Sequence, residues 1–225
     1  MIVITGSSRG IGKFLFDKYQ KLGEPVIGIY KSSVINDSFN LFKVDVADEQ
    51  GVHEWVMSIE HLLKDITLIN CAGINYSSIA HKSDLKEWKR VLDVNLFGSF
   101  NLIHSLLPIM RDQNFGRIIL LSSVVAQIAI PGTSAYAASK AGLWGLIKPI
   151  ALESAKKGIT INNINLGYFN IGMINELTEE IKKEIERKIP CGFFGDSNDI
   201  FNTVEYIRST SYLNGSNINL NGGLF

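Results

Sequence analysis

Tyr136 and Lys140, in the stretch SAYAASK (134–140), are the residues whose types and spacing suit proton transfer. Four positions apart on a predicted helix, their side chains share one face. A free tyrosine titrates at about 10, too high to exchange protons readily near neutrality. An ammonium group within roughly 4–6 Å favours the phenolate and can lower that value by about 1–3 units. Alone, this spacing is common on solvated helix faces. Ser123 ends the preceding predicted strand, and in an open parallel sheet ligands bind beyond the carboxyl ends of the strands. A serine there is placed to hydrogen-bond a substrate oxygen; the plainer reading is a buried hydroxyl bonded to backbone. Asn95 falls inside a predicted helix, either as a surface residue or with an amide that bridges to water.

The stretch ITGSSRGIGK (4–13) is a phosphate cradle of one of two kinds. A mononucleotide loop needs four residues between its glycines, and a Ser or Thr after its lysine to take Mg²⁺. Here five residues separate Gly6 from Gly12, and Lys13 is followed by Phe14, which ligates no metal. As a dinucleotide turn, Gly6 makes the bend, Gly10 lets backbone approach a pyrophosphate, and Gly12 permits close helix packing. The helix N-terminus then aims its N–H groups at the phosphates. The order Gly-x3-Gly-x-Gly departs from the commonest fingerprint, so a tight turn without a ligand is the alternative.

The elements that must position these residues alternate along the chain. Apolar runs predict strands at 1–5, 25–30, 41–44, 66–70, 117–123, 159–165 and 217–220. Helical spacing predicts helices at 10–23, 48–63, 84–110, 134–157 and 197–209, with Gly23 as a C-terminal stop. The link from Tyr30 to Leu41 leaves room for a single helical turn or none. Strand–helix alternation calls for a Rossmann-type α/β fold: a doubly wound parallel sheet of about seven strands, helices on both faces, in one domain over 1–225.

Together the motifs TGSSRGIG (5–12), VDVAD (44–48), NCAG (70–73), Asn95, SS (122–123), YAASK (136–140) and NGG (221–223) resemble the short-chain dehydrogenase/reductase family, nearly end to end. The resemblance implies Tyr136 as general acid/base, and Ser123 holding the substrate carbonyl or hydroxyl. Lys140 would lower the tyrosine pKa and grip the nicotinamide ribose, and Asn95 would hold a water linking Lys140 to solvent. It lays a dinucleotide along Gly6, Ser8, Arg9, Gly10, Ile11 and Gly12, past Asp45 and Val46 at the adenine, beside Asn70, Ala72 and Gly73, and against Gly167 and Phe169. Tyr136 and Lys140 also meet the cofactor. 3-Oxoacyl-carrier-protein reductases are the nearest common type.

An NAD site usually carries an acid at the end of the second strand. Here Tyr30 stands in that place, Lys31 follows, and Arg9 sits in the glycine turn. Two cations without a carboxylate suit a 2′-phosphate, so NADP(H) is expected over NAD(H). Two solvated surface charges, and with them an NAD-dependent alcohol dehydrogenase, are the alternative. Leu166 and Ile171 depart from the family, which has a proline and a carboxamide-holding threonine there. That keeps a catalytically weak dinucleotide-binding regulator open. Residues 168–195 take the place of the family's substrate lid, where Met173, Ile174 and Leu177 suggest a partly apolar pocket.

Composition bounds the partners. Lys+Arg and Asp+Glu both total 22, so no broad basic field exists to hold nucleic acid. A near-neutral surface favours a homo-oligomer, by family resemblance a tetramer or dimer across the helices at 84–110 and 134–157. Phe97, Phe100, Leu106 and Trp144 belong to such a face or to the core. Cys71 and Cys191 read as reduced cytoplasmic thiols, and the four histidines show no metal-ligand spacing. Residues 118–139 carry no charge, but Ser122, Ser123, Gln127 and Pro131-Gly132 interrupt them, so no membrane span is expected. The expected substrate is a small carbonyl or alcohol, free or carrier-bound; Lys156 and Lys157 could meet an acidic carrier, but Asn114 stands where another basic residue would be expected.

Overall fold

The computed structural model describes residues 1–32 and 39–224, the side chains of residues 173 and 176 excepted. Most of the link between Tyr30 and Leu41, and the Met173 side chain, therefore lie outside the described residues.

Seven strands form one parallel sheet: β1 (Ile2–Thr5), β2 (Val26–Tyr30), β3 (Leu41–Lys43), β4 (Thr67–Asn70), β5 (Gly116–Ser123), β6 (Ile159–Leu166) and β7 (Asn217–Leu220). Their order is β3-β2-β1-β4-β5-β6-β7. Every residue of β1, β4, β5 and β6 is buried. Apolar runs mark β1, β4 and β5, because a parallel sheet covered on both faces has no wet side, whereas β6 also buries Thr160, Asn162, Asn163 and Asn165.

Side chains alternate between two cores. Val3, Leu68, Ile118, Leu120 and Ile161 face α2 (Glu49–Ser58), α4 (Gly98–Gln113) and α5 (Ser134–Ser154), meeting Trp55, Leu106 and Leu143 among others. Ile2, Ile4, Ile69, Ile119 and Ile164 face α1 (Gly10–Lys21) and α7 (Ser197–Ser209), through Leu15, Tyr19, Ile200 and Val204. The chain runs outward from β1 in one direction and from β4 in the other. The carboxyl ends of β1 and β4, paired at Thr5 and Asn70, thus flank the switch point where an open α/β sheet takes its ligand.

Three helices differ from their predicted spans. The segment expected as one helix over 84–110 is α3 (Leu85–Leu92), a π-helical turn at Asp93–Phe97, and then α4. Tertiary bonds of Asn95 hold the extra residue of the π turn. The predicted helix at 48–63 ends at Ser58, followed by a 3₁₀ turn at Glu60–Leu62. That at 134–157 ends at Ser154, where a 3₁₀ turn leads to Gly158 at φ 68°. Gly23, at φ 72°, stops α1 as expected. The segment after β6 supplies α6 (Glu179–Lys188), capped by Thr178.

Candidate active site

The turn after β1 is shaped for close backbone approach. Gly6 and Gly10 take φ of 68° and 57°, conformations open mainly to glycine. A Cβ on Gly12 would stand 2.3 Å from the Gly6 carbonyl oxygen, so α1 packs directly on the turn. Beneath it, Thr5 Oγ1 donates to Asn70 Oδ1 (2.6 Å) and accepts from Ala72 N (2.8 Å), while Asn70 Nδ2 donates to Ser99 Oγ (2.6 Å). Asn70 is thus a buried strut joining β1, β4 and α4. Ala72 packs against Gly6, where a Cβ would lie 3.2 Å from the Ala72 nitrogen. Ile11 turns toward the core under α1, Ser8 is half-buried, and Arg9 is exposed at the helix N-cap.

The first turn of α1 has no side-chain cap and no acidic residue. By contrast α2, α3, α6 and α7 are capped by Asp48, Asp84, Thr178 and Asp196. An uncapped helix start on a glycine turn, with N–H groups facing outward, fits a dinucleotide's pyrophosphate. The backbone of Gly172, entering the segment after β6, lies against Gly10: a Cβ on Gly10 would stand 3.2 Å from Gly172 Cα.

Beyond β2 and β3, Lys31 Nζ pairs with Asp45 Oδ2 at 2.5 Å. The expectation of two cations without a carboxylate is corrected here. No acid stands at the end of β2, where Tyr30 and Lys31 lie, but the chain after β3 brings one beside Lys31 in space. Asp45 Oδ1 also accepts from Ala47 N (3.1 Å). Val46 is buried against Gly98, and its carbonyl accepts from Asn101 Nδ2 (3.0 Å).

At the end of β5 the remaining residues converge. Lys140 is buried and its Nζ donates to the Leu121 carbonyl at 2.7 Å, standing 5.6 Å from the centre of the Tyr136 ring. Ser122 Oγ donates back to the Lys140 carbonyl (3.1 Å) and accepts from Trp144 Nε1 (3.0 Å), stapling α5 to β5. Burial pushes the Tyr136 phenol up to about 12, against a downward pull from its hydrogen bond with Ser123. Burial also draws Lys140 down to about 8, opposed by the Cys71 thiol nearby. Desolvation is the larger of the two influences on the phenol. Tyr136 is therefore protonated at neutral pH.

Asn95 is fully enclosed. Its Nδ2 donates to the Ile74 carbonyl (2.9 Å) and to Ser139 Oγ (3.0 Å), and its Oδ1 accepts from Ile74 N (2.8 Å). It is not a surface residue, and both amide hydrogens bond protein atoms. Gly73 closes the group: a Cβ there would stand 3.5 Å from both Asn95 Oδ1 and Lys140 Nζ.

A family profile described as short chain dehydrogenase matches residues 1–182. The chain belongs to the short-chain dehydrogenase family. This short-chain dehydrogenase is 35% identical, over 99% of its length and 97% of the relative's, to the 3-oxoacyl-(acyl-carrier-protein) reductase FabG of Staphylococcus aureus. It is 34% identical, over 99% and 97%, to an acetoacetyl-CoA reductase of Shinella zoogloeoides. In fold it is similar to a crystal structure from Agrobacterium tumefaciens provisionally assigned as a gluconate dehydrogenase (TM-score 0.89, 24% identity, 100% of this chain and 95% of that one). It is therefore an oxidoreductase, and membership implies a nicotinamide dinucleotide cofactor.

Other expected site residues of the dehydrogenase fall less simply. Gly167 packs on the terminal NGG turn, where a Cβ would stand 2.7 Å from Asn221 Cα. Phe169 is buried, its ring packed on Gly195. Leu166 is buried beside it, and Ile171 packs against the same core, which explains an apolar residue where the family has threonine. Leu106 is wholly core, Trp144 is half-buried on Ser122 and Asn165, and Phe97 and Phe100 are 56% and 45% exposed. Sequence reasoning missed Thr5, Ser99 and Ser139, small hydroxyls at a strand end and inside helices. Their one signal was a polar residue at a core-facing position. It also passed over Cys71, whose thiol burial raises to about 12 beside Lys140. Among the described residues no helix is long and apolar enough to cross a membrane.

Proposed function

We propose that the chain is an NADPH-dependent reductase that converts a ketone or aldehyde to an alcohol. The observation carrying this reading is the convergence of Tyr136, Ser123 and the buried Lys140 at the carboxyl end of β5, with Lys140 Nζ 5.6 Å from the centre of the Tyr136 ring. When bound, a reduced nicotinamide supplies hydride to the carbonyl carbon. Ser123 holds the substrate oxygen, and Tyr136 gives its phenolic proton to that oxygen as the charge develops. Lys140, its ammonium facing the cleft floor, meets the ribose hydroxyls and stabilises the phenolate left behind. Gly6, Ser8, Arg9, Gly10, Ile11 and Gly12 hold the pyrophosphate. Asn70, Ala72 and Gly73 wall the ribose, Asp45 and Val46 the adenine, and Gly167 with the backbone of Phe169 the nicotinamide end. Arg9 and Lys31 favour a 2′-phosphate.

The named activities of the relatives make a 3-oxoacyl thioester the first substrate class to test. A small sugar-type ketone is its rival. Residues 168–195 act as a lid, whose first turn rests on the glycine turn at Gly10 and so links cofactor entry to lid position. The reading also takes the chain as one cytoplasmic domain that assembles into a dimer or tetramer, with exposed Phe97 and Phe100 at the contact.

The test is NADPH oxidation with acetoacetyl-CoA and a panel of ketones. Turnover is expected in the wild type and lost in Tyr136→Phe, with NADPH affinity retained. Binding of NADPH without reduction of any carbonyl would favour a regulator, the reading that Leu166 and Ile171 support.

A further inference from the structure

We infer that Ser139 is a positioning residue that bolts the turn bearing Tyr136 and Lys140 to the π turn at Asn95. This rests on the reductase reading for the roles of Tyr136 and Lys140. Ser139 has no solvent exposure. Its hydroxyl donates to the Tyr136 carbonyl at 2.8 Å, one helical turn back, and accepts from Asn95 Nδ2 at 3.0 Å. Both capacities of one oxygen are thus spent joining two elements. Asn95 is in turn clamped at both ends to Ile74, bonding its carbonyl at 2.9 Å and its N–H at 2.8 Å. A continuous chain therefore runs from the backbone after β4, through Asn95 and Ser139, to the carbonyl of Tyr136.

The chain fixes what helix geometry alone leaves loose. The α5 backbone sets Tyr136 and Lys140 on one face, but not the distance of that face from the strand ends. A serine bonding its i−3 carbonyl inside a helix competes slightly with helical bonding, so its presence at a fully buried position needs a tertiary partner. Asn95 is that partner. Replacing Ser139 with alanine leaves α5 its backbone bonds but strands a buried amide hydrogen of Asn95. The π turn and the Tyr136 turn then relax apart. Misplacement of reacting groups by about 1 Å can lower turnover a hundredfold.

The test compares Ser139→Ala and Ser139→Thr with the wild type in acetoacetyl-CoA reduction. Ser139→Ala is expected to lower kcat about tenfold to a hundredfold with KM nearly unchanged. Ser139→Thr, which keeps the hydroxyl, restores kcat. Unchanged kcat in Ser139→Ala, a loss confined to KM, or a threonine variant as slow as the alanine one would overturn the inference. A second measurement needs no turnover. The ultraviolet titration of each protein, minus that of its Tyr136→Phe counterpart, isolates Tyr136 from the other tyrosines. Lys140 and Cys71 are the titrating groups coupled at this centre, and both are present in every protein compared. Ser139→Ala should move the Tyr136 midpoint down by about one unit as water enters; an unmoved midpoint refutes the role. Should the wild type reduce no carbonyl, the reductase reading falls while this titration still decides for or against Ser139.

Discussion

The Lys31 ammonium and the Asp45 carboxylate stand 2.5 Å apart, just beyond the ends of neighbouring strands β2 and β3. One charge thus answers the other where the adenosine end of a dinucleotide would lie. The pair is exposed enough for the lysine to exchange partners, since an ion pair in water is only weakly held. A 2′-phosphate, with more charge than one carboxylate, competes for Lys31. Lys31→Ala is therefore expected to lower the NADPH-to-NADH efficiency ratio about tenfold, the loss of one charge-assisted bond. Asp45→Asn should raise it. Steady-state kinetics with both cofactors would measure this, and a ratio unmoved by Lys31→Ala would end the case for NADPH preference.

A pH profile follows from Lys140. Burial lowers its pKa to about 8, while Tyr136 stays protonated up to about 12. Carbonyl reduction needs the ammonium charged and the phenol protonated, a combination present below about 8 and lost above it as Lys140 gives up its proton. The free-enzyme quantity kcat/KM should accordingly be level near neutrality and fall through about pH 8. Lys140→Arg, charged throughout, should remove that alkaline limb even if its overall rate is low.

Two glycines should respond in opposite senses to alanine. At Gly12 a Cβ would meet the Gly6 carbonyl oxygen at 2.3 Å and the Thr5 carbonyl oxygen at 2.8 Å, backbone atoms that cannot step aside. Gly12→Ala should cost about 1–3 kcal/mol and weaken NADPH binding. Gly145, exposed on α5 with nothing within 4 Å of a Cβ, is open to substitution. Gly145→Ala should stabilise by about 0.5–1 kcal/mol through helix propensity, with kinetics unchanged. Urea unfolding separates the two.

Arg117, at the start of β5, is 8% exposed, and its guanidinium bonds the carbonyls of Arg208, Gly116 and Gly158 at 3.2, 2.9 and 2.9 Å. It thereby ties the C-terminal end of α7 and the turn after α5 to the strand. Arg117→Met keeps much of the apolar stem but leaves these carbonyls without their donor. A loss of about 2–3 kcal/mol is expected, read as a lower urea midpoint, with NADPH affinity retained because the residue lies at the far end of the strand from Ser123.

The sheet and most helices were legible because their signals are local: apolar runs at β1, β4 and β5, and Gly23 after α1. The glycine turn and the Tyr136–Lys140 spacing are local too. What stayed hidden depends on contacts across the fold. The Lys31–Asp45 pair joins residues on different strands, and no periodicity states that register. The π turn is invisible because Val91, Val94, Leu102 and Leu106 continue an apolar pattern that suits an unbroken helix; only the bonds between Asn95 and Ile74 disclose the extra residue. The direction of the Tyr136 shift depends on burial, about which a four-residue spacing is silent. The packing of the Phe169 ring on Gly195 likewise joins residues far apart in sequence.

The π turn at Asp93–Phe97 makes the helix out of step with itself. Each helical residue turns the chain by about 100°, so rewinding this segment as regular α-helix with no residue removed would rotate all of α4 relative to α3. Leu102, Leu106 and Met110, all buried, would swing away from the sheet. The reading frame of the helix, and with it the hydrophobic core, is thereby committed to the irregularity. Smoothing out the turn with every residue retained would therefore mean repacking the core that Leu102, Leu106 and Met110 fill.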